Sequence, residues 1–121
     1  MVFIIRVFMK PTIHAYLCDD TGHRFFGNGP MRLLQLIGET GSLRCAAQQM
    51  GLSYSKALAI VKRAEAELGF ALTEKTIGGR GGGGSRLTPE AETFLHKYEV
   101  YRDACSQANR EIYHTVFGGQ P

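Results

Sequence analysis

Cysteine is scarce in this sequence: Cys18, Cys45 and Cys105 are the only ones among 121 residues. Their odd number and wide spacing exclude a disulfide scaffold, which needs a dense and even set. A redox role for Cys45 or Cys105 would need a resolving partner that the spacing does not offer. The four histidines show no metal-ligand spacing, so we expect no bound metal. Because no nucleophile–base pair is present, we also expect no cofactor and no enzymatic activity.

Long hydrophobic runs are also missing. The apolar run over residues 3–9 carries Arg6 and is closed by Lys10 and Pro11. A membrane-spanning helix needs about 20 apolar residues, and no small-residue cleavage site of a signal peptide follows this run. We therefore expect no membrane partner and, with reduced cysteines, a cytoplasmic location.

What the sequence has instead is a globular composition with an uneven distribution of charge. Hydrophobic residues make up 44% and charged residues 21%, which indicates a folded chain, and this length suits one domain. Residues 53–87 carry six basic and three acidic side chains, whereas residues 88–121 carry three basic and five acidic. This asymmetry favours an anionic partner that contacts the middle of the chain.

The first quarter of the chain has the pattern of a small antiparallel sheet. Residues 2–9 are β-branched and aromatic, and residues 13–18 alternate with a period of two, as a half-buried strand does. Turn residues follow at positions 19–22. Residues 24–26 then predict a further short strand or an extended arm.

The next segment predicts two helices. Pro30 suits the first turn of a helix whose apolar stripe is followed by two predicted stops, Gly38 and Gly41. Ser42 is a good N-cap for a second helix over residues 43–50.

A third helix completes a helix-turn-helix pattern. Gly51 suits the left-handed turn after the second helix, and Ser53 predicts the cap of a helix running to about Leu68. Lys62 and Arg63 lie on its outer face. Two helices joined by a tight glycine-containing turn, with the second basic outside, are typical of this motif.

Six of the fifteen glycines fall within residues 78–84. This window matches the dinucleotide pattern G-x-G-x-x-G, but no βαβ unit can follow it, and it lacks the lysine of a phosphate loop. A flexible linker would need a domain on each side. Strand-like flanks at 71–76 and 85–87, together with Arg80 and Arg86, favour the tip of a β-hairpin wing, where glycine lets the backbone approach phosphates closely.

The last helix begins at Thr88 and Pro89, a cap followed by proline at the first helical position. Beyond them, apolar residues recur alternately three and four positions apart over about three heptads, as in helices that pair. A domain of this size cannot bury such a seam alone, so we expect pairing with a second copy. The predicted dimer seam consists of Ala91, Phe94, Tyr98, Tyr101, Cys105, Ala108 and Ile112.

Two segments resemble a known family. Both segments resemble the winged-helix domain of the LysR-type regulators, and especially of the molybdate-responsive (ModE-like) regulators. They are residues 41–47, with Gly-Ser-Leu followed by Ala46 and Ala47, and residues 51–57. The glycine-rich stretch 76–89 is the most specific part of the match. The resemblance covers residues 25–115 and implies a mainly α fold with a small amount of β: a winged helix-turn-helix with N-terminal β-strands and a long C-terminal dimerisation helix.

The resemblance implies a homodimeric bacterial transcription regulator that binds double-stranded DNA sequence-specifically. Within a single domain, residues 1–28 would be N-terminal strands, 29–87 the helix-turn-helix and wing, and 88–115 the dimerisation helix. The chain reaches residue 121 without the molybdate-binding domains of the full-length regulators, so molybdate binding is not carried over to it.

The predicted DNA contacts lie on the helix-turn-helix and the wing. The first turn of the third helix would enter the major groove, where lysine can bond guanine and serine can reach bases or phosphates. The wing would contact the backbone or the minor groove. Arg80 is the strongest single candidate, because it stands among glycines with nothing to pack on. The full set is Ser42, Ser53, Tyr54, Ser55, Lys56, Lys62, Arg63, Arg80 and Arg86.

Each of these residues has a structural alternative. Ser53 can be only a helix cap, Tyr54 can pack against the second helix, and Lys62 and Arg63 can be solvated charges. For the whole protein, the alternative is a winged-helix protein-interaction module that does not bind DNA specifically. A basic recognition helix and wing favour DNA, because an interaction module need not keep them.

Overall fold

The computed structural model describes residues 9–77 and 84–118 of the chain. Helices and two antiparallel strand pairs follow one another along these residues. The predicted fold class, a mainly helical winged helix-turn-helix with N-terminal strands and a long last helix, is confirmed. The elements are β1 Leu17–Cys18, β2 Arg24–Phe26, α1 Asn28–Thr40, α2 Leu43–Gln49, α3 Tyr54–Leu68, β3 Thr73–Thr76, β4 Gly84–Leu87 and α4 Pro89–Phe117.

The N-terminal hairpin of β1 and β2 is shorter than the alternation over residues 13–18 predicts. β2 has three residues, because Gly27 and the start of α1 follow at once. Residues 13–16 therefore find no strand to pair with in the described part of the chain, and alternation without a partner does not make a strand. The predicted strand over residues 2–9 lies outside the described residues except for Met9, which is not in a strand.

The first helix runs through Gly38, which the sequence predicts as one of its two stops. It ends at the other, Gly41, whose φ of 71° is left-handed and whose N–H donates to the Ile37 carbonyl at 2.8 Å. Gly38 stays helical because the apolar face of α1 is held in the core, and an interior glycine costs only about 1 kcal/mol. The buried residues of that face are Met31, Leu33, Leu34, Leu36 and Ile37.

α2 and α3 form the predicted helix-turn-helix. The Ser42 and Ser53 hydroxyls each accept a hydrogen bond from the backbone N–H three residues further on, as N-caps do. Gly51 between the helices has a φ of 69°, which glycine adopts without a side-chain penalty. The Leu52 N–H donates to the Ala47 carbonyl at 2.9 Å and closes the turn. The bounds of both helices agree with the predicted ones to within one residue.

β3 and β4 form the predicted wing. The wing is attached to the α1–α2 turn, because the Ser85 N–H donates to the Gly41 carbonyl at 2.8 Å. Gly84 lies against the same carbonyl, and an added Cβ would stand 2.5 Å from its oxygen. This close approach requires glycine. The tip of the wing, residues 78–83, lies outside the described residues.

The hydrophobic core joins the N-terminal hairpin, α1, α2, α3 and the first part of α4. Phe26 of β2 is 1% exposed, and its ring meets Phe94 at 4.8 Å and Tyr98 at 4.9 Å between centroids, both edge-on. Each such pair stabilises the fold by about 0.5–1.5 kcal/mol in addition to the effect of burying the apolar area of the rings. The hairpin is therefore part of the core rather than an arm attached to it.

α4 belongs to the core only in its first turns. Thr88 caps the helix by accepting a hydrogen bond from the Ala91 N–H at 3.0 Å, and Ala91 and Tyr98 are buried. Beyond Tyr98 the helix leaves the core, and Tyr101 and Ile112 are 50% and 61% exposed. The predicted seam thus has one part covered by its own chain and one part exposed. No helix in the described ranges is both long and apolar enough to span a bilayer.

Candidate nucleic-acid interface

The first turn of α3 is a polar and exposed surface. Ser53, Tyr54, Ser55 and Lys56 are all exposed, as predicted for a helix that contacts a partner by its N-terminal end. Ser53 accepts the Lys56 N–H at 3.1 Å. That cap uses only the oxygen, so the hydroxyl hydrogen can still be donated to a partner.

Arg44 of α2 stacks on Tyr54 of α3. Its guanidinium carbon lies 4.6 Å from the centroid of the tyrosine ring, a cation–π contact. Tyr54 therefore does touch the second helix, but at the surface, and its side chain remains 40% exposed. Arg44 is absent from the sequence-based set of contacts, because no local pattern shows that it lies beside Tyr54.

A polar cleft of about 210 Å³ opens between α2, α3 and the wing; we call it the wing cleft. Arg44 and Lys75 supply its charge, and no carboxylate of the described residues lines it. Neither cation forms an ion pair with a described residue. Two uncompensated cations beside hydroxyl groups are suited to bind an anion. The cleft is lined by Ser42, Leu43, Arg44, Tyr54, Lys75, Thr76, Gly84 and Ser85.

The two faces of the wing differ in charge. Lys75 pairs across the strands with Ser85, and Glu74 pairs with Arg86. Because side chains alternate along a strand, these pairs lie on opposite faces. Arg86 donates from Nε to Glu74 at 2.8 Å, so its charge is compensated while that of Lys75 is not. The alternation within the predicted strand was the signal that could have identified Lys75.

The basic residues in the second half of α3 are in ion pairs. Lys62 Nζ lies 3.2 Å from a Glu65 carboxylate oxygen. Arg63 donates to Glu67 at 2.8 Å and to Asp19 at 2.7 Å. The hydrogen bond to Glu67, followed by that to Asp19, raises the pKa of Arg63. The charge of each residue is thus partly or fully compensated within the domain.

Asp19 connects the N-terminal hairpin to α3. Its carboxylate accepts the Thr21 hydroxyl at 2.8 Å and the backbone N–H groups of Thr21 and His23, both at 2.9 Å. These bonds, with the Thr21 hydroxyl first, hold the pKa of Asp19 far below its usual value, and the hydrogen bond from Arg63 adds to the effect. Asp19 is therefore ionised at neutral pH, and it draws the Arg63 guanidinium towards the hairpin.

The predicted contact residues therefore separate into three groups. Ser42 and the first turn of α3, residues 53–56, lie around the starts of α2 and α3. Ion pairs hold Lys62, Arg63 and Arg86. Arg80 lies outside the described residues. Within the described ranges, no three His, Cys, Asp or Glu side chains form a group that could hold a metal ion.

A comparison with protein-family models matches residues 30–92 to the bacterial regulatory helix-turn-helix proteins of the lysR family. The matched residues make up just over half of the chain. They include most of α1, both helices of the helix-turn-helix, the wing and the first turn of α4.

Curated relatives are similar to more than half of the chain. The molybdenum transport protein ModE of Herbaspirillum seropedicae is 40% identical over 91 residues, which are 75% of this chain and 30% of that protein. The molybdenum-pterin-binding protein MopB of Rhodobacter capsulatus is 38% identical over 80 residues, 66% of this chain and 29% of that protein. The transcriptional regulator ModE of Yersinia pestis is 34% identical over 68 residues. The chain thus spans less than a third of the length of these relatives.

A solved structure shares the fold. The DNA-binding domain of CbnR, in a crystal structure of its complex with DNA, superimposes with a TM-score of 0.58 at 18% identity. The superposition covers 73% of this chain and 95% of that one.

Proposed function

The chain belongs to the lysR family of bacterial regulatory helix-turn-helix proteins, and from that premise we propose that it is a transcription regulator that binds double-stranded DNA sequence-specifically. α3 enters the major groove, and the wing lies on the backbone or in the minor groove. The observation that carries the proposal is the wing cleft, where uncompensated cations adjoin the exposed first turn of α3. A DNA-reading helix needs this combination, since phosphate contacts position the protein and base contacts specify the sequence.

Base reading is assigned to the first turn of α3. The Lys56 ammonium can bond O6 and N7 of guanine, and the Ser55 and Ser53 hydroxyls can donate to base edges or phosphates. Tyr54 is held by Arg44 and contributes its hydroxyl at the mouth of the wing cleft. These four side chains lie within one helical turn, which is the part of a recognition helix that contacts bases.

Phosphate binding is assigned to Arg44 and Lys75, with the Ser42 hydroxyl beside them. Stacking on Tyr54 restrains the Arg44 guanidinium before the phosphate arrives, which lowers the entropy lost on binding. Lys75 extends from the wing on the other side of the cleft. Arg80 and Arg86 add further contacts along the wing.

Lys62 and Arg63 have a different role in the proposal. Lys62 remains exposed beside Glu65 and contacts the backbone. Arg63 positions α3 against the hairpin through Asp19, so its contribution to DNA binding is indirect.

The proposal includes a homodimer formed through the distal part of α4. Of the N-terminal segment 1–28, Asp19 braces the reading helix, while residues 29–87 contact DNA and residues 88–115 dimerise. Beyond Tyr98, the predicted seam has Tyr101 and Ile112 exposed and Cys105 half-buried, which leaves a row of residues that a second copy would cover. Two copies would then place two reading helices on a palindromic site.

A substitution in the exposed seam tests the dimer. Ile112→Glu places a charge in the predicted interface, so we expect a fall in mass from dimer to monomer in analytical ultracentrifugation. Val100→Glu is the matched control, because Val100 is 55% exposed on the same helix but outside the seam. A dimer unaffected by Ile112→Glu would contradict this interface.

Several functions form no part of the proposal. The names of two of these relatives refer to molybdenum, but the chain spans less than a third of the length of each, so molybdate binding is not included. No catalytic activity is included, because the family and the relatives point to regulation. A DNA-binding regulator acts where bacterial DNA lies, and we place it in the cytoplasm.

The alternative of a protein-interaction module is disfavoured, since such a module has no need of a cationic cleft whose described lining lacks a carboxylate.

Selection of bound sequences from a random DNA pool with the purified chain tests the function. We expect a palindromic enriched site, with affinity that falls steeply as salt rises because phosphate contacts release counterions. Lys56→Ala and Arg80→Ala should each weaken binding to that site without changing thermal stability. A pool that shows no enrichment would contradict the proposal and favour the interaction module.

A further inference from the structure

A second cavity lies on the other side of α3, between that helix and the N-terminal hairpin. Its volume is about 350 Å³, and we call it the hairpin groove. Apolar side chains form most of its lining, with Phe25 on the hairpin, Pro30 on α1 and Ile60 on α3. A cavity of this volume with an apolar lining and few polar groups is typical of a small-molecule site.

One wall of the hairpin groove is built by close packing. Gly27 lies against the ring of Tyr16, and an added Cβ would stand 2.6 Å from a ring carbon. The absence of a side chain at Gly27 thus allows the ring to lie directly on the backbone. The Tyr16 ring in turn supports the Arg24 guanidinium, whose carbon is 4.4 Å from the ring centroid. Arg24 is exposed, and this contact holds it beside the groove.

The cations around the hairpin groove differ in their partners. Arg63 is bound by Asp19 and Glu67. Arg24 and Lys56 form no ion pair with any described residue. The groove thus combines an apolar wall with two uncompensated positive charges.

We propose that the hairpin groove binds a planar aromatic carboxylate. The ring lies against the apolar wall formed by Phe25 and Ile60. The carboxylate accepts hydrogen bonds from Arg24 and Lys56, because an occupant needs a negative charge to complement these two cations. The volume suits a molecule of one or two rings, whereas a helix of a second copy, about 10–12 Å across, is too wide for it.

The position of the site links it to the proposed function. Lys56 is in the first turn of α3 and is assigned there to base reading. A carboxylate bound to Lys56 competes with DNA for the same ammonium group, so the ligand lowers DNA affinity. This coupling rests on the proposed function, whereas the binding of the ligand does not.

Titration with 2-naphthoate tests the site on the full chain without DNA. We expect 2-naphthoate to shift the Ile60 methyl resonances and to bind about 100-fold more tightly than neutral 2-naphthamide of the same shape, because each of the two charge-assisted hydrogen bonds contributes about tenfold. Arg24→Gln should lower this preference to about tenfold, because Lys56 still binds the carboxylate. Lys97→Gln should leave the full preference unchanged, because Lys97 lines a different apolar cavity, of about 380 Å³, that also contains Glu90.

Three results would overturn the site. These are equal binding of acid and amide, a preference that Arg24→Gln leaves unchanged, and resonances of Ile60 that do not shift. The last result is expected if a second copy fills the groove instead. Fluorescence anisotropy with the selected DNA then tests the coupling, in which 2-naphthoate raises the Kd for DNA. If 2-naphthoate shifts the Ile60 resonances and leaves that Kd unchanged, the coupling is wrong and the site is still supported. If the protein does not bind DNA at all, the proposed function is wrong and the site is unaffected.

Discussion

Side chains on the wing side and on the hairpin side of α3 differ in the contacts that they make. On the wing side, Arg44 and Lys75 face a polar cleft whose described lining contains no carboxylate. On the hairpin side, Phe26 is buried in the core and Arg63 is held by two carboxylates. This contrast shows that the uncompensated cations of the wing side are available to a partner, while the packing of Phe26 and the ion pairs of Arg63 keep the helix in place.

The largest effect expected is the loss of core packing on the hairpin side. Phe26→Ala removes a ring that meets two other aromatic rings, so the free energy of unfolding should fall by about 3–5 kcal/mol in urea titration. Ile77→Ala on the wing is the control, because Ile77 is fully exposed and its loss should change stability by less than about 0.5 kcal/mol. Equal effects of the two substitutions would break the comparison.

The next effect concerns DNA binding on the wing side. Arg44→Gln combined with Lys75→Gln should weaken binding to the selected site about 100-fold, since a hydrogen bond to a charged group is worth roughly 1.5–3 kcal/mol. The slope of log K against log salt should become shallower by about 2, with thermal stability unchanged. The control with the same change of charge is Lys97→Gln with Arg110→Gln, which lie on α4. Equal weakening in both double variants would show a general charge effect rather than a cleft.

The smallest effect expected is that of Asp19→Asn. The folded-state pKa of Asp19 is lowered, so its contribution to stability is present above the unfolded pKa of about 3.9 and is lost as the pH falls towards the folded value. The melting temperature of the variant should lie below that of the wild type at pH 7, with the gap closing below about pH 4. Asp20→Asn, an exposed neighbour, is the control. A gap that stays constant down to pH 3 would show that ionised Asp19 does not stabilise the hairpin.

Helix starts could be predicted from the sequence because their causes are local. Ser42, Ser53 and Thr88 cap the helices that the sequence predicts, since a cap needs only a hydroxyl and a backbone N–H three residues away. The predicted helix stop at Gly38 was wrong because burial of the apolar face of α1 outweighs the low helix propensity of one glycine. The strand over residues 13–18 shortened because a strand needs a partner, which local alternation does not supply.

The candidate site was only partly predictable. The exposed first turn of α3 follows from the pattern of the third helix. Arg44 and Lys75 could not be found together, because 31 positions separate them and only the docking of the wing on the α1–α2 turn makes them neighbours. Arg63 was predicted as a DNA contact from its place on the helix, and its pairing with Asp19 joins residues 44 positions apart.

By itself, the sequence determined the elements of this protein: the capped helices, the tight turn at Gly51 and a glycine-rich hairpin typical of a wing. These depend on interactions within a few residues, which a chain carries wherever it folds. Only the tertiary structure decided which charges remain uncompensated and which half of α4 is buried. Those outcomes depend on contacts between distant segments, and such contacts form only when the hydrophobic core brings the hairpin, the helices and the wing together.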